Sequence, residues 1–197
     1  MTFSLRSLCV FCGSSNGNRP EYAAAAADFG RLLGDRGIRV VYGAGNVGLM
    51  GVLADAALSA GGEVIGVIPQ MLVDRELAHR DITDLRIVTS MHQRKALMAE
   101  LADAFVALPG GLGTFEELCE VLTWVQLGIH HKPVGCLNVM GYFDRLAHML
   151  DHAVGEGFLQ MEQRQNLIVA TDPNDLLTQL SDAARPETER STVREII

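Results

Sequence analysis

Glu117 and Arg94 are the pair best placed for chemistry, because each stands where an ordinary globular chain would not put it. Glu117 closes the run Pro109-Gly110-Gly111-Leu112-Gly113-Thr114-Phe115-Glu116-Glu117. An apolar run, Ala104 to Leu108, stops at the proline, and a helical pattern, Leu118 to Leu127, follows the acids. Strand, tight glycine turn and helix start make an anion site: unpaired backbone N–H groups converge there and the helix dipole favours negative charge. Glycines let a phosphate approach the backbone with no Cβ in the way. One reading of Glu116 and Glu117 is therefore that of first-turn acids complementing the dipole, and it covers Glu116 well. Glu117 also shares a stripe with Val121 and Trp124 at helical spacing, so it leans toward packed structure and reads as a working carboxylate. Arg94 and Lys95 sit in the first turn of another helix, behind Ser90 as N-cap. Cations there oppose the dipole, and Arg94 lies in line with Leu97, Met98 and Leu101, the stripe that should be buried. The plain alternative is an arginine reaching past the core's edge. The chemical one is an anion held between two helix starts.

The elements that must position these residues follow from periodicity and punctuation. Leu8 to Cys12 reads as a first strand, ended by Gly13-Ser14-Ser15-Asn16-Gly17-Asn18, which puts Ser14 either at a ligand position or in a plain polar turn. Pro20 to Asp35 is a helix closed by Gly37, and Ile38 to Tyr42 a second strand. Gly43, Gly45 and Gly48 then spell G-x-G-x-x-G ahead of a small-residue helix through Ala60. A dinucleotide site would need an acid at the end of the next strand, but Val64 to Ile68 ends in Pro69-Gln70 and Glu63 precedes it. The glycines, Gly45 among them, are read instead as close approach to a smaller phosphate ligand or as helix–sheet packing. Met71 to Ala78 is a short helix or lid-like segment carrying Asp74, Arg75 and Glu76. Strands at Leu85–Thr89, Pro133–Val139 and Asn166–Ala170 alternate with helices at Met91–Ala102, Tyr142–Ala153 and Pro173–Asp182. This alternation predicts an α/β fold: a doubly wound, Rossmann-like parallel sheet flanked by helices, one domain over residues 1–184, with 185–197 a flexible tail. Parallel strands put their carboxyl ends together, so all three glycine turns should meet on one edge around a single phosphate-bearing ligand.

Composition narrows the partners. The chain of 197 residues carries a net charge of −8, which argues against a nucleic-acid or anionic-membrane binder. No apolar stretch is long enough to span a bilayer and no export signal is apparent, so a cytoplasmic protein is expected. Cys9, Cys12, Cys119 and Cys136 lie in or beside apolar runs and read as reduced; Cys9-Val-Phe-Cys12 falls inside a strand rather than at a helix start, unlike a redox motif. No metal site is expected: His148 and His152, with Asp144 one turn earlier, read as a solvated helix face.

Several motifs together resemble the LOG family, the cytokinin riboside 5′-monophosphate phosphoribohydrolases. They are Pro109 to Glu117 with Met91-His-Gln-Arg-Lys95, Cys12-Gly-Ser-Ser15, Val41-Tyr-Gly43, Gly48-Leu-Met-Gly51, Val64 to Pro69, Thr123 to Gly128 and Lys132-Pro-Val-Gly135. The resemblance runs from about Leu8 to Leu180. Ala44 stands where three consecutive glycines are common, and Leu112 where plant members usually have an aromatic residue. What the resemblance implies is hydrolysis of the N-glycosidic bond of an adenosine 5′-monophosphate, plain or N6-modified, with no cofactor, by a homodimer. It implies Glu117 and Arg94 as the catalytic pair, and Lys95, Gly110, Gly111, Gly113, Thr114, Glu116 and Thr123 as nucleotide contacts, with Glu76 as another. The alternative is a non-catalytic nucleotide- or cofactor-binding module of the same fold; binding an anion would need the arginine but not the inward acid. Lysine decarboxylation, an early label of this family, would need a pyridoxal-phosphate Schiff-base lysine. Lys95 lies in the anion-binding helix start, and Lys132 abuts Pro133.

Overall fold

The computed structural model describes residues 5–73 and 78–184; Glu76 and the tail 185–197 lie outside them. The chain runs β1 (Ser7–Phe11), α1 (Pro20–Asp35), β2 (Arg39–Tyr42), α2 (Gly48–Ser59), β3 (Val64–Pro69), α3 (Gln70–Val73), β4 (Asp84–Val88), α4 (Met91–Leu101), β5 (Ala104–Ala107), α5 (Leu112–Gln126), β6 (Val134–Leu137), α6 (Asp144–Gly155), α7 (Met161–Arg164), β7 (Leu167–Ala170) and α8 (Pro173–Ala183). The seven strands form one sheet in the order β4-β3-β2-β1-β5-β6-β7, and every pairing is parallel. This is the doubly wound single domain that the sequence predicts.

Alternation along the strands builds a core on each face. Leu8, Val10 and Tyr42 point to one side and meet Phe29, Leu33, Leu53 and Leu177 from α1, α2 and α8. Cys9, Phe11 and Phe105 point to the other and meet Met98, Leu118 and Val121 from α4 and α5. With both faces covered, the central strands are buried from end to end, as their unbroken apolar runs require. The same alternation sends Cys9 and Cys12 to opposite faces of the sheet, and all four cysteines are free.

α5 departs from expectation in a way that bears on the site. It begins at Leu112, with Gly111 as N-cap, so the glycine loop itself forms the first turn. Glu116 and Glu117 consequently occupy the second turn, and the first turn holds no acid. The reading of Glu116 and Glu117 as first-turn acids is therefore corrected. The short α7 was not legible as a helix: it is a single turn held by reciprocal Gln160 and Gln163 capping bonds, too short for any periodicity.

Candidate active site

The chain winds outward from β1 in one direction and from β5 in the other, so the switch point lies between their carboxyl ends, where open α/β sheets hold ligands. The glycine turns do meet there, backbone on backbone. Gly13 N–H donates to the Pro109 carbonyl at 3.0 Å, and Met50 N–H to the Gly13 carbonyl at 3.3 Å. A Cβ on Gly110 would lie 2.1 Å from Thr114 Oγ1 and 2.8 Å from Gly13 N. Gly48, at φ +61°, leaves no room either: a Cβ would fall 2.2 Å from the Ser14 carbonyl carbon. These glycines are needed because the loops touch.

Gly111 and Gly113 are different. A Cβ on either would meet none of the described residues within 4 Å, and both residues are exposed. Their backbone borders open space at the start of α5. The first helical hydrogen bond is Phe115 N–H to the Gly111 carbonyl, at 3.1 Å. The N–H groups of Leu112, Gly113 and Thr114 precede it, and such groups have no partner within a helix. Beside them lies a cavity of about 210 Å³ whose lining includes Ser14, Asn16, Tyr22, Gly111 and Tyr142. The Tyr142 hydroxyl donates to the Gly110 carbonyl, which holds the turn from below. Sequence reading missed Tyr142, because nothing in an amphipathic helix start marks a tyrosine as a loop support.

Arg94 and Glu117 come together across the gap between α4 and α5. Arg94 Nη2 is 3.5 Å from Glu117 Oε1, and the two side chains are only 11% and 12% exposed. Arg94 Nε also donates to the Val67 carbonyl at 3.2 Å. The guanidinium lies against Gly43, where a Cβ would stand 2.0 Å from Nη2. Burial pushes the Glu117 carboxyl above its ordinary value, and Arg94 pulls it part of the way back. The same carboxylate, added to full burial, helps hold the Cys12 thiol protonated. A largely buried acid facing a cation, one turn beyond an open helix start, is an arrangement in which a carboxylate can do chemistry.

Lys95 takes a different part. Its Nζ sits 2.6 Å from Glu116 and 2.8 Å from Glu120, so the cation is already held by two carboxylates of α5. Both cations of the α4 start thus face acids of the neighbouring helix. Ser14 lies exposed on the loop after β1, against the same crevice. Two expected residues stand apart. Gly45 is buried, bridged to Ala78, and packed on Met50, whose Cε would be 2.6 Å from a Cβ there. Thr123 lies near the other end of α5, where its hydroxyl donates to the Cys119 carbonyl at 2.7 Å. Each glycine of G-x-G-x-x-G therefore touches protein: Gly43 meets Arg94, Gly45 meets Met50 and Gly48 meets Ser14. Among the described residues no group of three or more His, Cys, Asp or Glu is arranged to hold a metal ion.

Comparison with known proteins identifies the family. The family model described as "Possible lysine decarboxylase" matches residues 50–180. A cytokinin riboside 5′-monophosphate phosphoribohydrolase of Arabidopsis thaliana is 51% identical over 175 residues, covering 89% of this chain and 81% of that protein. The chain belongs to the LOG family. A further LOG-family enzyme, the cytokinin riboside 5′-monophosphate phosphoribohydrolase LOG of Oryza sativa subsp. japonica, is 49% identical over 177 residues, 90% of this chain and 73% of that one. Among solved structures, the molybdenum cofactor binding protein of Rippkaea orientalis matches with a TM-score of 0.68 at 19% identity, over 91% of this chain and 97% of that one. The molybdenum cofactor carrier protein of Chlamydomonas reinhardtii matches at 0.66 and 18%, over 90% and 96%. At such identities these two share the LOG-family fold and nothing further follows from them. No helix among the described residues is long and apolar enough to cross a membrane.

Proposed function

We propose that this LOG-family chain hydrolyses the N-glycosidic bond of adenosine 5′-monophosphates, plain or N6-modified, releasing the free base and ribose 5-phosphate. The observation that carries the proposal is the buried Glu117 carboxylate facing Arg94 beside the open N-terminus of α5. The names of relatives about half identical to this chain support the same substrate class. In this reading the 5′-phosphate rests on the N–H groups of Leu112, Gly113 and Thr114, with Gly111 and Ser14 alongside, at the positive end of the helix dipole. Anchoring the phosphate holds C1′ near Glu117 and converts a collision into a positioned reaction. As the C1′–N9 bond breaks, positive charge develops on the sugar, and the carboxylate stabilises it and orients the water that forms the new C1′–O bond. The water's proton balances the base, which leaves protonated at nitrogen. Arg94 offsets part of the cost of ionising the buried Glu117 and meets the anionic substrate. Lys95, bridging Glu116 and Glu120, sets the spacing of α4 and α5 around the pair.

Decarboxylation does not suit these residues. Lys95 is clamped by two carboxylates, and Lys132 Nζ donates to the Ala99 carbonyl at 2.7 Å, so neither is presented to a pyridoxal phosphate. The proposal includes a cytoplasmic location and a homodimer, the homodimer supported by the apolar Leu127 and Ile129 left exposed past the end of α5. The test is chromatographic. Purified protein is incubated with AMP, isopentenyladenosine 5′-monophosphate and the two unphosphorylated nucleosides. Free base from the monophosphates alone is the expected result. No base from any substrate, together with tight AMP binding, would replace the enzyme with a nucleotide-binding module.

A further inference from the structure

The side of the site away from α5 contains a feature that the proposed chemistry does not use. Ala44, directly after the glycine that seats Arg94, is a non-glycine residue at φ +59°. L-residues rarely adopt this left-handed conformation unless their surroundings impose it. Ala44 is fully buried, and its Cβ packs on Gly66 of β3, where an added Cβ would come within 2.6 Å. Its carbonyl accepts from His79 N–H at 2.8 Å, and the next residue, Gly45, bridges Ala78 in antiparallel sense. His79 is itself buried, and its Nε2 lies 3.0 Å from Oδ1 of Asp55, a largely exposed residue on α2. A continuous set of contacts therefore runs from Asp55 through His79 and Ala44 to Gly43 and the Arg94 guanidinium.

We propose that Asp55 and His79 form a clasp that holds Ala44 in its left-handed conformation and so fixes Gly43 as the seat of Arg94. Both are positioning residues: neither touches the crevice, and each acts through the loop after β2. Their role in turnover rests on the hydrolase reading above, but their effect on the arginine does not. Asp55 is exposed enough for the protein to fold without its carboxylate, so the clasp can be opened from its outer end.

The experiment compares Asp55→Ala and Asp55→Asn in the wild-type and Arg94→Ala backgrounds, with AMP as the probe. Base release gives kcat and KM, calorimetry gives the AMP Kd, and a thermal melt reports folding. Asp55→Ala is expected to lower kcat/KM about tenfold, as small displacements of a positioned group do, and to weaken AMP binding, with the melt little changed. Asp55→Asn keeps an oxygen acceptor for the ring and should stay within about threefold of wild type. In the Arg94→Ala background, Asp55→Ala should leave the AMP Kd unchanged, because the residue that it positions is gone. Equal weakening of AMP binding in both backgrounds, or wild-type kinetics in Asp55→Ala, would overturn the clasp. Should the wild-type protein bind AMP but release no base, the hydrolase reading fails, and the coupling of Asp55 to Arg94 is still read from the Kd values.

Discussion

Replacing Gly43 by alanine should disarm the site while leaving the fold intact. The added Cβ would stand 2.0 Å from Arg94 Nη2 and 3.1 Å from Cζ. Ordinary contact begins near 3.4 Å, so the guanidinium must retreat by about 1.4 Å, the difference between 3.4 and 2.0, even if the backbone does not move. The retreat breaks the 3.2 Å hydrogen bond to the Val67 carbonyl and disturbs the 3.5 Å approach to Glu117. A misplacement of about 1 Å in a positioned group costs roughly 100-fold in rate, or about 2.7 kcal/mol of transition-state stabilisation. Backbone strain adds nothing, since Gly43 is not among the glycines at positive φ. kcat/KM for AMP and for isopentenyladenosine 5′-monophosphate should therefore fall by about two orders of magnitude while the melting temperature moves by only a few degrees. Gly48→Ala is the contrasting control. Its Cβ would strike backbone and its φ is +61°, so it should lose stability before any specific rate effect appears. A Gly43→Ala enzyme within about threefold of wild type would show that the seat of Arg94 does not govern its chemistry, and the reasoning would be wrong.

Other outcomes follow from burial and charge. The acid limb of kcat/KM should lie above 4.5, the ordinary value of the Glu117 carboxyl, because burial raises it more than Arg94 lowers it. Glu116→Gln removes a charge that raises it further, and so should shift that limb to lower pH. The folded protein holds the Glu117 proton more tightly than the unfolded chain, so ionising this group lowers stability as pH rises from about 4.5 through the raised value. Glu117→Gln should accordingly melt above wild type at pH 7, with the gap closing below about pH 4; equal melting points at pH 7 would contradict the burial cost. Tyr42 hides its hydroxyl without a hydrogen-bond partner among the described residues. Tyr42→Phe should stabilise the protein by about 1 kcal/mol, or about 2–4 °C in the melt, and a lower melting temperature would mean that the hydroxyl is satisfied.

Much of the site was legible because its signals are local. The apolar run into Pro109, the glycines behind it and a carboxylate on the stripe of Val121 and Trp124 are visible within one segment. Arg94 was legible for the same reason, as a charge heading an apolar stripe. The doubly wound parallel sheet follows from strands alternating with helices, whereas the strand order appears only in the structure. What stayed hidden depends on residues distant in sequence meeting in space. That Gly43 serves Arg94 rather than a phosphate appears only when β2 and α4 are side by side. Lys95 looked free to meet an anion because Glu120 is one turn beyond the motif, where spacing alone gives no partner. The start of α5 was misjudged because glycine is a poor helix former, and here the loop's packing overrides that propensity. Thr123, expected at the nucleotide through family resemblance, lies far along α5, with its hydroxyl on the Cys119 carbonyl.

The central claim is that Glu117 is the group on which bond cleavage depends, and Glu117→Gln tests it with the least disturbance of shape. Turnover of AMP or isopentenyladenosine 5′-monophosphate and the Kd for AMP are measured side by side on the same preparation. The account predicts that base release falls by about a thousandfold or more while the Kd changes by no more than a few-fold, since the charge acts on the transition state rather than on the bound nucleotide. A Glu117→Gln enzyme that keeps most of its turnover, or one that loses binding in proportion to rate, would contradict it.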